Sequence, residues 1–460
     1  MSRRSSRALA LISPLLFGCA LRSDDWPMYG GRPDRNMVSA ERGLPTTWSL
    51  KSGVKWVADA GNPMFGSPSV AGGRIFIGTD NEKPRIPTVK GSKGILLCLS
   101  AQDGSFLWQA VHDRLPKESY EDVQVLGIGS TPCVAGDHVF YVSNRGELVS
   151  REVTDGKAVW SLDMRKDLGV TVNQASVSSP LVVGDLVFVV TGQGRDINTN
   201  IVKNPKAPSF IAVDRGTGKL VWQDNSPGDK ILTGSWGSPA YGVVDGQLQV
   251  VFPGGDGWLY AFEPSKGTLL WKFNCKVHEK PPPPGLRPPD THLVATPVFV
   301  EHRVLVSIGI APSDGYDSEP GCLRAIDARM RGDVTGSAEL WRYEGEGNFG
   351  VTISSVAVHE GLVYASDLMG YLNCLDLDTG KIVWKYDSLS SAWGGPLVAD
   401  GKIYWQIGDG EVLVLQPGRE KKLLARNREI PDVCNGTPVA ANGVLYVTGQ
   451  RKLYAISSGK

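Results

Sequence analysis

An all-β fold is predicted, an eight-bladed β-propeller of four-stranded antiparallel blades closed by an N-terminal strand, and three observations predict it. One strand opening recurs eight times, a fixed pattern ending in tryptophan closes most of the units that follow, and the last unit ends one strand short. Self-similarity at a period of about forty to sixty residues marks propellers and arrays. Composition agrees, since 55 Gly, 30 Pro and 13 Trp with 21% charged residues suit many short strands joined by tight turns.

The openings are Ser67-Pro68, Thr131-Pro132, Ser179-Pro180, Ser238-Pro239, Thr296-Pro297, Ser354-Ser355, Gly395-Pro396 and Thr437-Pro438. Each precedes a short apolar run, a turn and a second apolar run, as in Val70 to Ile77 and Val134 to Tyr141. Such runs around glycine corners read as antiparallel hairpins.

The closing pattern is fullest as Ala212-x-Asp214-x-x-Thr217-Gly218-x-x-x-Trp222. It returns with Cys374, Asp376, Gly380 and Trp384, with Ala261, Glu263, Gly267 and Trp271, with Ser150, Glu152, Gly156 and Trp160, and more loosely with Cys98, Gly104 and Trp108. Each residue type has a reason. The small residue permits close strand packing, the acid accepts turn N–H groups, and glycine takes a positive φ. Tryptophan on the outer strand wedges between neighbouring units. Trp56, Trp108, Trp160, Trp222, Trp271, Trp341 and Trp384 are therefore the expected blade-docking residues. The seventh unit ends Leu423-Leu424-Ala425 without one.

The eighth unit stops at Lys460 after its turn, lacking an outer strand, and Gly53 to Val57 supplies the missing piece. A ring closed this way has no free sheet edge. The expected division is an export signal over 1–20, an N-terminal extension over 21–50 and a single propeller over 51–460. A chain begun at Lys51 is expected to tolerate the loss unless the extension packs on the propeller.

Arg3, Arg4 and Arg7 precede the apolar stretch Ala8 to Phe17, which has the length of a signal-peptide core. Leu16-Phe17-Gly18-Cys19 resembles a lipobox, which would lipidate Cys19; cleavage after Ala20 is the other reading. Either predicts an exported protein, periplasmic or membrane-anchored, in a bacterium. Apart from Cys19, the cysteines are Cys98, Cys133, Cys275, Cys322, Cys374 and Cys434. Six allow fifteen pairings and the sequence selects none, so buried thiols are expected. Lys+Arg and Asp+Glu both total 48, leaving no net basic field for nucleic acid. No run of eighteen apolar residues occurs, so membrane contact is expected through the N-terminal lipid alone.

These repeats resemble the PQQ-repeat propeller family, which includes bacterial PQQ-binding-like proteins, pyrroloquinoline-quinone alcohol dehydrogenases and BamB-type outer-membrane assembly lipoproteins. The resemblance spans roughly residues 50 to 460, and it implies a fold rather than a chemistry. In the dehydrogenases it implies PQQ beside calcium, a catalytic aspartate, a tryptophan under the quinone and often adjacent cysteines. No adjacent cysteines occur here and no matched calcium-and-aspartate set is found, so no catalytic, cofactor or metal residue is assigned. His138, His302 and His359 read as turn residues; His112, His278 and His292 lack metal-ligand spacing. The loop from Asp314 to Glu319 lacks the spacing of a defined calcium loop and reads as a solvated acidic loop.

With strands A to D counted outward from the axis, the D–A and B–C connections share one face. Long insertions at Asn81 to Lys93, His112 to Gln124, Arg195 to Pro208, Lys276 to Thr291 and Pro312 to Gly321 all fall there. On the opposite face only Arg329 to Ser337 is long. Insertions collect on binding faces in repeat folds. Phe65, Trp236, Phe349 and Trp393, each just ahead of a strand-A opening, are candidates to ring the channel mouth or to fill the axis. The tract Pro281 to Pro284 reads as a stiff polyproline II spacer. The expected role is a non-catalytic, monomeric scaffold binding envelope proteins. A PQQ-dependent oxidoreductase of alcohols or sugars and a carbohydrate-binding propeller are the alternatives.

Overall fold

The computed structural model describes residues 25–458 apart from 63–65, 116–126, 173–177, 197–198, 200, 233–235, 277–292, 294, 309–320, 345–348 and 432–435. The export signal with Cys19, the mouth candidate Phe65, Cys434, His278, His292, the proline tract and the acidic loop lie outside them.

Among the described residues eight sheets of four antiparallel strands are arranged as the repeat requires, the blade 4 sheet carrying a short fifth strand, Gly332–Asp333, in parallel. Strand A is Ser69–Ala71, Cys133–Ala135, Leu181–Val183, Ala240–Val244, Val298–Val300, Ala357–His359, Leu397–Ala399 and Val439–Ala441 in blades 1 to 8. Strand D is Phe106–His112, Ala158–Asp163, Leu220–Asp224, Leu269–Asn274, Glu339–Tyr343, Ile382–Asp387 and Lys422–Asn427 in blades 1 to 7. The inner strands read as near-continuous apolar runs because both faces of a blade pack on neighbours. Gly94–Ser100, for example, is buried over its first six residues. Strand D alternates buried and exposed positions, since its outer side meets water.

Blade 8 takes its strand D from the other end of the chain. Val54–Asp59 pairs antiparallel with Lys452–Ile456, placing Trp56 opposite Ala455. The closing strand thus falls where the count of strands required it.

The small residue of each repeat sits directly opposite its tryptophan: Cys98 with Trp108, Ser150 with Trp160, Ala212 with Trp222, Ala325 with Trp341 and Cys374 with Trp384. A register shift follows at once in every one of these ladders. Such a bulge bends the outer strand and adds twist. The indole then reaches the next blade's C–D turn. Trp56 Nε1 donates to Ala101 O, Trp108 to Val153 O, Trp160 to Arg215 O, Trp222 to Pro264 O, Trp341 to Leu377 O and Trp384 to Gly418 O, at 2.7 to 3.3 Å. Most rings also lie against the next turn's glycine. A Cβ on Gly218 (φ +70°) would stand 2.6 Å from the Trp160 ring, and one on Gly267 (φ +68°) 2.6 Å from Trp222.

Trp271 departs from this scheme. Its Nε1 donates to Gln249 Oε1 at 2.7 Å within its own blade, and Gln249 Nε2 passes the link to Ala328 O at 2.9 Å. The cause is the long C–D connection of blade 5, whose Gly332–Asp333 pairs parallel with strand D of blade 4 and covers Trp271 completely. In blade 7, Ala425 faces Val414 where the other blades place tryptophan. There the extension brings its own bulk: buried Leu44 and Trp48 join the core cluster of blades 7 and 8, and Asn427 bonds both Thr46 O and Trp48 N.

Candidate functional site

The site is built around the axis, where strand A of every blade presents an unpaired inner edge. Such an edge leaves N–H and C=O groups needing partners. Residues 25–42 of the extension provide them. Trp26 O accepts from Val70 N, Pro27 O from Val134 N, Pro33 O from Tyr241 N, Asp34 O from Phe299 N and Met37 O from Val398 N, all at 2.7 to 3.0 Å. Asn36 pairs with Val358 through both ends of its amide. Arg35 reaches Ser179 O and Pro180 O, and Ser39 Oγ reaches Ala440 O. One segment therefore bonds the inner region of all eight blades and fills the axis. The extension therefore packs on the propeller, the condition under which its loss is not expected to be tolerated.

Two local features make the path possible. Gly30 (φ +77°) and Gly31 (φ +71°) turn the chain where a Cβ would come within 2.6 Å of Arg35 Cα and of the Trp26 ring respectively. Arg35 is wholly buried, and its guanidinium donates to Pro239 O at 2.8 Å and Tyr29 O at 2.7 Å besides the blade 3 carbonyls. Burial lowers its pKa to about 10, partly opposed by Cys133, Tyr29 and Asp34. Carbonyl dipoles from separate elements thus solvate one charge at the hub.

A belt of hydroxyls lies beside this plug at the strand-A openings. Ser67 N donates to Thr131 Oγ1, Thr131 N to Ser179 Oγ, Ser179 N to Ser238 Oγ and Ser238 N to Thr296 Oγ1, all near 3.0 Å. Gly395 N donates to Thr437 Oγ1, and Ser67 Oγ closes the circle onto Thr437 O. This belt gives the recurring Ser/Thr-Pro pair a reason: the hydroxyls of Thr131, Ser179, Ser238, Thr296 and Thr437 each receive a backbone N–H of the preceding blade, while those of Ser67 and Ser355 donate to the preceding blade's Thr437 O and Thr296 O.

The mouth candidates separate. Phe349 is fully buried, edge-on to Tyr343, in a core cluster shared by blades 5 and 6. It fills a seam and does not line the mouth, which corrects its assignment. Trp236 and Trp393 are half-buried beside their openings. Trp236 Nε1 is buried without a hydrogen-bond partner among the described residues. The glycine that follows is required by close approach: a Cβ on Gly394 would stand 2.1 Å from Gly436 O, and one on Gly237 2.9 Å from Ala295 O.

Five insertions leave from D–A or B–C connections, as the strand bounds show. They join Asp80 to Gly94, His112 to Cys133, Val190 to Phe210, Asn274 to Val298 and Ile308 to Cys322. Several buried polar groups on that side are paired within the fold. His112 Nδ1 meets Glu147 Oε2 at 3.1 Å and its Nε2 meets Tyr141 OH at 2.8 Å, across the seam of blades 1 and 2. Burial raises the Glu147 pKa, but bonds from His112, Ser143 and Arg145 outweigh it and hold the carboxyl at about 2. Asp367 accepts from Gly350 N and Tyr371 N, and Asp256 from Tyr260 OH and Trp258 N.

These carboxylates are committed to their own turns. Among the described residues no group of three or more His, Cys, Asp or Glu converges on a point, and the axis holds backbone. The sequence reading left open whether the extension packs on the propeller and did not place it at the axis. The plug's signal was the strand-poor apolar run Trp26, Met28, Met37, Leu44 and Trp48, interrupted by Gly30-Gly31.

No helix among the described residues is long and apolar enough to cross a membrane. The sequence profile of the family described as outer membrane protein assembly factor BamB matches residues 28–207, 206–309 and 320–423. A protein of that name from Shewanella oneidensis is 24% identical over 244 residues, covering 52% of this chain and 50% of its own. Lupanine 17-hydroxylase from a Pseudomonas species is 21% identical over 452 residues, covering 87% of this chain and 54% of its own. The chain spans about half the length of these curated relatives. Among solved structures, BamB of Moraxella catarrhalis overlays with a TM-score of 0.54 at 17% identity, covering 81% of this chain and 92% of that one. Quinohemoprotein alcohol dehydrogenase of Comamonas testosteroni gives 0.64 at 13% identity, covering 96% and 82%. At such identities the overlays speak for the fold. With a profile matched over most of its length, this chain belongs to the PQQ-repeat β-propeller family that includes the outer membrane protein assembly factor BamB.

Proposed function

We propose that the protein is a non-catalytic propeller exported to the cell envelope, where its insertion-rich face binds other envelope proteins. The observation that carries this reading is the plug. Groups in or just before strand A of all eight blades are bonded by residues 25–42, so the inner strand edges are occupied by the chain itself. Recognition then falls to the loops on the face from which five insertions leave. The relatives named as assembly factors support the same direction. Lipidation of Cys19 would hold the propeller at a membrane surface and leave the body monomeric.

Cross-linking and pull-down from envelope membranes, with chain lacking residues 277–292 as the comparison, tests the reading. Recovery of the same proteins by the intact chain and their loss from the shortened one is expected. Repeated recovery of nothing, or dye-linked alcohol or sugar oxidation after loading with PQQ and calcium, would overturn it.

A further inference from the structure

Equivalent positions of the repeat place two cysteines together at one seam. In the seam of blades 1 and 2, His112 lies four residues after its tryptophan, Trp108. Glu147 lies three before the small residue Ser150 of the next blade. These two side chains touch at 3.1 Å. At the seam of blades 4 and 5 the same two positions are Cys275, four after Trp271, and Cys322, three before Ala325.

Contacts within that seam agree. Arg324, two residues beyond Cys322 and so on the same face of its strand, crosses to blade 4. There it lies 5.9 Å over the Phe273 ring and donates to Lys276 O at 3.4 Å, bracketing Cys275 on both sides. Cys275 and Cys322 are fully buried in one core cluster. Cys98, Cys133 and Cys374 each fall in a different cluster, and all five thiols are unbonded in the structure.

We infer that Cys275 and Cys322 form an inter-blade disulfide when the chain folds in the presence of a small-molecule disulfide such as oxidised glutathione. The thiolate of one cysteine attacks the glutathione disulfide, giving a mixed disulfide and one glutathione thiol. The second thiolate then displaces the other glutathione. Two protein thiols give up two protons and two electrons, and one glutathione disulfide becomes two thiols. Burial pushes both thiols up, Cys322 to about 12, so little thiolate exists once the seam has closed. The bond therefore forms during folding and is afterwards shielded from reductants. It ties the roots of the insertions that follow Cys275 and precede Cys322, and its bearing on partner binding rests on the role proposed above.

The test is made on the full chain, reduced and unfolded, then refolded with a mixture of oxidised and reduced glutathione. Remaining thiols are alkylated in denaturant, and the protein is digested without reduction for mass spectrometry. One joined peptide pair carrying Cys275 and Cys322 is expected, with Cys98, Cys133 and Cys374 alkylated. Alkylation of both cysteines, stable capping of both by glutathione, or pairing of either with another cysteine would overturn the inference. In C275S, Cys322 should become alkylated or glutathione-capped. A joined peptide containing Cys322 in that variant would also overturn it. None of these readouts depends on whether an envelope partner exists.

Discussion

Replacing Trp222 by alanine tests how the blades are held together. The ring is 8% exposed, with centroids 5.5 Å from Phe262, 6.0 Å from Phe252 and 6.1 Å from Phe188, and its N–H donates to Pro264 O at 2.7 Å. Removing a buried tryptophan costs about 3–5 kcal/mol, because the space it leaves collapses only in part. Pro264 O loses its donor as well, which adds roughly 1 kcal/mol or more if water cannot reach it. Against a total stability of about 5–15 kcal/mol, that is a large fraction. Urea unfolding followed by far-UV circular dichroism should show a much lower midpoint for Trp222→Ala, while exposed Lys219→Ala stays near the parent. Trp222→Phe separates the terms, retaining most of the packing and losing the N–H. Gly267→Ala should also be costly, since its Cβ would meet the indole at a positive φ. Equal midpoints for Trp222→Ala and Lys219→Ala would refute the docking role.

Three further outcomes are expected. A chain begun at Lys51 strips the inner strands of their acceptors and should be less soluble or melt earlier than one begun at Asp25, while equal melting and solubility would count against the plug. Arg35→Ala removes a guanidinium bonded to carbonyls of three segments and should cost roughly 1–3 kcal/mol for each buried carbonyl left without a donor, measured as an unfolding midpoint; no change would show that water replaces it. Glu147 has a folded pKa of about 2, below its usual 4.5, so its contribution is present above pH 4.5 and is lost as pH falls towards 2. Acid titration of stability should therefore be flatter for Glu147→Gln over that window, and identical acid curves would remove Glu147 from the account.

Fold was legible because the repeat repeats its physics. A small residue, a turn acid, a positive-φ glycine and a docking tryptophan recur at fixed spacing, so errors in one unit were corrected by the others. Trp271 is buried among residues of blades 4 and 5 but donates within its own blade, because Gly332–Asp333 of the next blade covers it, a change of partner that local spacing does not encode. Phe349 shares the aromatic-glycine signature of Trp236 and Trp393, but the neighbouring Tyr343 draws it into a seam. The plug was hard to see because residues 25–42 reach five of the eight blades through backbone carbonyls, which leave no mark on side-chain pattern, and the other three through the single side chains Arg35, Asn36 and Ser39.

The plug and the closing strand also set an order of events in folding. Glu41 accepts from the backbone N–H groups of Asn442 and Gly443, and Trp56 lies opposite Ala455, so the first described residues are completed by the last. During synthesis, blades 1 to 7 can form their local hairpins as they emerge, while the hub and the final rim strand wait for the C-terminal end. Contacts of such sequence separation slow folding and leave sheet edges exposed until they form. Ring closure is thus the late and aggregation-exposed step, and a holdase that shields residues 25–59 would be acting on the segment whose release completes the molecule.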